Sequence, residues 1–174
     1  MQVATDTLQS KIAFLASFFS FPGKDFYRAL YAGETPLGKL EINEPFEDFC
    51  EALETEITEL FVNSPLQRPL FPVASEYVSE TRKMKIREEL SVLYSLHGKV
   101  VTHLPQDHLQ VLLEFLAYLL EQEEIAAAAE FCSAYIGSWT EDFVSAMLQR
   151  KPSESLARTA KLLPDICEQV ARVT

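Results

Sequence analysis

Apolar residues recur along this chain at intervals of three and four and seldom alternate, a period that reads as helix almost throughout. A first helix is predicted over residues 5–19, with Leu8, Ile12, Leu15 and Phe19 on one face. Phe21-Pro22-Gly23 ends it, residues 24–31 form a short second helix, and the glycine- and proline-bearing stretch 33–43 is a connection. Pro45 opens an amphipathic helix whose apolar face is Phe46, Phe49, Cys50, Leu53, Ile57, Leu60 and Phe61. Residues 63–73 hold Pro65, Pro69 and Pro72, which remove backbone donors and favour extended conformation, so this segment reads as an ordered loop or a hinge. A helix from residue 80 or 81 to residue 96 follows, ended by His97-Gly98. Beyond the segment 105–120, a helix from about residue 123 passes Phe131 and Tyr135, with a break expected at Gly137-Ser138. Ser138 or Thr140 would then cap a further turn through Phe143, Val144 and Met147. After Pro152-Ser153 a last helix aligns Leu156, Ala160, Leu163, Cys167 and Val170. The expected fold is all-α: a single-domain helical bundle over residues 1–174 with seven or eight helices and a hinge near 65–73.

The segment 105–120 stands apart from the rest. Pro105-Gln106-Asp107-His108-Leu109 leads into a run in which only Gln110, Glu114 and Ala117 interrupt the apolar surface. A helix apolar nearly all round belongs in the middle of a bundle. Proline suits a first helical turn and a carboxylate suits the positive end of the helix dipole, so Asp107 and His108 are expected at the mouth of a buried helix. Polar side chains there need a task or a partner.

Charge changes the picture in one respect. The formal net charge is −11, from 26 acids and 15 bases, which argues against nucleic acid as a partner, because phosphate binding needs a basic footprint. Residues 45–64 carry Glu47, Asp48, Glu51, Glu54, Glu56 and Glu59 without a base, while residues 82–87 carry Arg82, Lys83, Lys85 and Arg87. Such faces are ordinarily solvated surface, but an acidic one also attracts a basic peptide. Cys50, Cys132 and Cys167 are scattered and lack metal-ligand spacing, which fits reduced thiols in a cytoplasmic protein with no metal site. The apolar run 12–21 is too short and too interrupted for a membrane span or signal peptide, so no stable membrane insertion is expected.

Three features could carry function. Asp107-His108 could serve acid–base chemistry, but His97 and His103 are the other histidines and no acid cluster completes a ligand set, so no catalytic residue is assigned. The bland reading of the pair is a capping acid beside a histidine; the third is a hydrogen-bonding spot at the rim of an apolar groove. Leu60-Phe61 and the braced loop through Ser75 and Tyr77 could form a groove wall or an ordinary crossover. Trp139 reads as core or bundle-edge packing.

Pro105-x-Asp107-His108-Leu109 running into Leu113-Glu114-Phe115-Leu116 resembles the PxDH-(L/I)-…-LEFM element of the TorD/DmsD/NarJ-type redox-enzyme maturation chaperones. Leu60-Phe61 resembles that family's LF helix end, and residues 72–79 its PPYESVYLS element, with Ser75, Tyr77 and Ser79 on matching positions. The run 15–22 and the stretch Tyr135-Ile136-Gly137-Ser138-Trp139 with Phe143 agree in order. The resemblance implies a TorD-like cytoplasmic chaperone, not an enzyme and with no cofactor of its own. It would bind the twin-arginine signal peptide of a molybdopterin-dependent oxidoreductase and assist cofactor insertion before export. Leu60, Phe61, Ser75, Tyr77, Pro105, Asp107, His108 and Leu109 would form or support the peptide groove, Asp107 accepting hydrogen bonds from a peptide arginine or backbone. An assembly chaperone binding the apo catalytic subunit without its leader is the alternative, and a nucleotide-binding or hydrolytic helical protein a further one. Either a monomer or a domain-swapped homodimer, hinged in the proline-rich loop, is compatible with the chain.

Overall fold

The computed structural model describes residues 2–63 and 67–173, and Pro65 of the proline-rich loop lies outside them. Its elements in order are α1 (Gln2–Phe18), α2 (Lys24–Ala32), α3 (Phe46–Phe61), a 3₁₀ turn (Ala74–Glu76) and α4 (Glu80–Leu96). Then come α5 (Leu109–Glu121), α6 (Ile125–Phe131), a π segment (Cys132–Gly137), α7 (Ser138–Gln149) and α8 (Glu154–Val173). Among the described residues there is no strand, and the fold is the all-α bundle that the periodicity predicts.

α5 occupies the middle. Leu109, Leu112, Leu113 and Leu116 are fully enclosed, and Val111, Phe115, Leu119 and Leu120 are buried around them. It packs on α1, whose Leu8, Ile12 and Leu15 face it from the core, and on the α6 side of the bundle. α8 closes the other side against α1, α6 and α7 through Leu156, Ala160, Leu163, Ile166 and Val170, with Pro164 accommodated inside the helix. α2 packs on α3. The turn after α2 requires glycine: Gly33 sits at φ 74°, and a Cβ there would meet the Lys39 backbone at 3.1 Å. Ser79 caps α4, its side chain accepting from the Arg82 N–H.

Two local expectations change. α5 begins at Leu109, not at Pro105; residues 105–107 form a turn, closed by the His108 N–H on the Pro105 carbonyl at 3.0 Å. Asp107 therefore precedes the helix and points into the protein instead of lying on the first turn. The chain also does not break at Gly137-Ser138. α6, the π segment and α7 run on as one rod, the irregularity being taken up by a widened turn in which Trp139 Nε1 donates to the Tyr135 carbonyl at 2.8 Å. Thr140 is buried within that rod and is not a cap.

Because α5 contacts the bundle on nearly every side, a cavity in it has little room to collapse. Leu116→Ala is expected to cost about 3–5 kcal/mol, read as a lower urea midpoint with unchanged slope.

Candidate functional site

Three segments far apart in sequence meet at the N-terminal end of α5: the loop 72–77, the turn 105–108 and the inner edge of α4. Backbone bonds stitch the first two together. The Ala74 N–H donates to the Asp107 carbonyl at 3.0 Å and the Leu109 N–H to the Pro72 carbonyl at 2.8 Å, an antiparallel bridge pairing Val73 with His108. Side chains complete the clasp. Asp107 is 0% exposed; its Oδ2 accepts the Ser75 N–H at 2.8 Å and its Oδ1 accepts Arg87 Nε at 2.7 Å. Arg87 Nη2 donates to Ser75 Oγ at 3.0 Å. Tyr94, two helical turns further along α4, donates its hydroxyl to the Gln106 carbonyl at 2.9 Å. Burial, and after it the Asp107 charge, raise the Tyr94 pKa, so the hydroxyl keeps the proton that it donates.

His108 is the N-cap of α5, its Nδ1 accepting from the Gln110 N–H at 3.3 Å. That role needs a neutral ring with the proton on Nε2. Burial lowers the His108 pKa, opposed by the nearby Asp107 carboxylate, and so favours the same neutral form.

The residues singled out in the sequence divide into two groups. Ser75, Asp107, His108 and Leu109 belong to the clasp itself, and Pro105, half-buried, closes its turn. Leu60, Phe61 and Tyr77 lie beneath it in an aromatic core. Phe61 meets Phe18, Phe19 and Phe143 edge-on or stacked, and Tyr77 stacks on Trp139 at 5.5 Å. Burial pushes the Tyr77 hydroxyl up to about 12. The end of α3 is tied in as well, the Leu60 carbonyl accepting from the Leu70 N–H at 2.7 Å.

Sequence reasoning missed the partner of Asp107. The arginine that its carboxylate holds is the chain's own Arg87, drawn from a basic run that reads as solvated surface. One signal was available: Arg87, Leu90 and Tyr94 share a helix edge, so the arginine borders the buried face of α4.

A cavity of about 260 Å³ opens beside the clasp, lined by Tyr94, Val100, Val101, Val111, Phe115 and Tyr118, with Lys99 and Glu114 at its rim. Tyr94 is shared by cavity and clasp, and Val111 lies on the first turn of α5. Lys99 Nζ rests 3.9 Å from the centre of the Tyr118 ring. Val100, in the cavity wall, is 82% exposed. The described residues hold no group of three or more His, Cys, Asp or Glu side chains that could bind a metal ion, and no helix long and apolar enough to cross a membrane.

Fold and site first define a class, an all-helical bundle whose loops are clasped to the end of its central helix by a buried ion pair. The family model of the nitrate reductase delta subunit matches residues 35–145, more than half of the chain and all of the clasp, and the chain belongs to that family. This is a family of redox-enzyme maturation chaperones related to TorD and DmsD. Nothing among curated proteins or solved structures matches the chain.

Arg87→Ala strands a carboxylate in a dry site and is expected to cost roughly 3–5 kcal/mol, toward the lower figure because the guanidinium is half-exposed. Asp107→Ala strands only the Ser75 N–H and frees an arginine that can reach water, costing about 1–3 kcal/mol. Urea unfolding of both variants checks the order. For His108, a folded pKa below the ordinary 6.5 means that the unfolded chain takes the proton first as pH falls. The His108 contribution is thus complete above that value and is lost as pH drops through it toward the lower folded pKa. His108→Asn keeps a capping oxygen without the titration, so its stability should fall less than that of the wild type between about pH 7 and pH 5.

Proposed function

We propose that this protein is a cytoplasmic assembly chaperone that binds an apolar, helix-forming leader segment bearing arginines, at the amino end of a molybdopterin-dependent oxidoreductase subunit. Family membership supports the general role. The observation that carries the binding mode is the cavity beside the clasp, walled largely by aromatic and valine side chains and with exposed Val100 among them. At about 260 Å³ it suits one or two large side chains projecting from a helix better than a whole nucleotide. In this reading the clasp positions the cavity and does not itself seize the client. Arg87 already balances the Asp107 charge and, with the Ser75 N–H, occupies its oxygens, so a peptide arginine would have to displace it.

The client's arginines have a counterpart elsewhere. Glu47, Asp48, Glu51, Glu54 and Glu59 are exposed along α3, with Lys24 reaching Glu47 at 3.3 Å. This face would raise the encounter rate with a basic segment, while burial of its apolar side chains supplies most of the affinity. The export-delaying form of the role requires the leader; the assembly form requires contact with the mature apo subunit. Exchange of helices between two copies through the loop 65–73 remains our proposal for any dimer.

Calorimetry against a synthetic twin-arginine leader tests the reading. Val100→Asp and Tyr118→Ala, both at the cavity wall, should each weaken binding about tenfold or more, equivalent to about 1.4 kcal/mol. Unchanged affinity in both would move the site elsewhere. Capture of the leader-deleted apo subunit would favour the assembly form over leader recognition.

A further inference from the structure

The clasp and its cavity leave one reactive pair unused. Cys132, 1% exposed at the start of the π segment, and Cys167, half-buried on α8, place their sulfur atoms 2.9 Å apart without being bonded. They are 35 residues apart in sequence, and two packed helices bring them together. Cys50, the other cysteine, is buried on α3 and belongs to a different part of the core.

We propose that Cys132 and Cys167 form a dithiol site that reacts with low-molecular-weight disulfides and closes reversibly into an intramolecular disulfide between the π segment and α8. Closing the pair to a bond of about 2.0 Å requires the sulfurs to approach by less than an ångström, within the reach of side-chain torsions. The two thiols have distinct environments. Cys132 donates its S–H to Cys167, which lowers the Cys167 pKa and raises that of Cys132. Cys167 is also the more exposed residue of the two, so it is the attacking group.

The chemistry balances in two exchanges. The Cys167 thiolate attacks one sulfur of a small disulfide such as oxidised glutathione, forming a mixed disulfide and releasing one small thiolate. Cys132 then gives up its proton and attacks the Cys167 sulfur, forming the internal bond and releasing the second thiolate. The protein thiols lose two electrons, the small disulfide gains them, and the two cysteine protons end on the released thiols. Reduced glutathione runs both steps backwards.

The bond would join the long α6–α7 rod to α8 at its widened turn, a place where the backbone is least regular. Cytoplasmic disulfides of this kind are transient and respond to redox state instead of building the fold. The same rod carries Trp139, on which Tyr77 stacks, so the closed form would brace the aromatic core under the clasp.

Full-length protein carrying Cys50→Ser, incubated with oxidised glutathione, tests the proposal by mass spectrometry without reductant. The expected product has lost two hydrogens, yields a linked pair of peptides containing Cys132 and Cys167, and melts on the order of 5–15 °C above the reduced form. Cys132→Ser should instead hold a glutathione adduct on Cys167, while Cys167→Ser should leave Cys132 largely unmodified. Dithiothreitol should restore the starting mass of the closed form. Persistence of both free thiols, an adduct on Cys167 that Cys132 never resolves, or disulfides between chains only, would each overturn the proposal.

Discussion

A carboxylate shut away from water constrains everything around it. Asp107 has no exposed surface, and an unpaired charge in such a place would cost several kcal/mol. Its two oxygens are therefore occupied from two directions, by Arg87 on α4 and by the backbone of Ser75 in the loop that follows α3. Neither donor can leave without stranding the acid. The outcome is a joint in which three segments hold one another in register, with the Val73–His108 bridge setting their spacing. The pair need not be more stabilising than a well-packed apolar substitute, but removing either partner leaves a buried polar group without its counterpart.

This joint stands on a greasy base. Phe19, Phe61, Phe143, Tyr77 and Trp139 form linked ring contacts below it, and the leucines of α5 continue inward from its edge. Tyr94 transmits the position of the turn to the neighbouring cavity, since one side chain both donates to Gln106 and walls the hollow. Residues of the PxDH-like element are thus coupled to a cavity that they do not line.

The helices were readable because helical amphipathicity is a local property. Residues 46–61 and 154–173 display their buried faces at regular spacing, and the ends of α2, α3 and α4 carry recognisable stop or cap residues. The start of α5 was misread for an identifiable reason. Pro105 and Asp107 have the propensities of a first turn, but Asp107 gains more from Arg87 and Ser75 than from a helix dipole. At Gly137 a weak helix former suggested a break, whereas packing against α8 and the Trp139 hydrogen bond favoured a widened turn over an interruption.

The chain's own order of residues settled the all-helical class, the central place of α5 and the family to which the protein belongs, because those depend on spacing and on short motifs. Tertiary structure alone decided that the arginine facing Asp107 comes from within the protein, that Leu60 and Phe61 are buried in the core, and that Cys132 lies against Cys167. Each of these depends on which helix faces which across the bundle. Nothing in the local periodicity of either partner encodes that pairing, since it is set by how all the faces fit together at once.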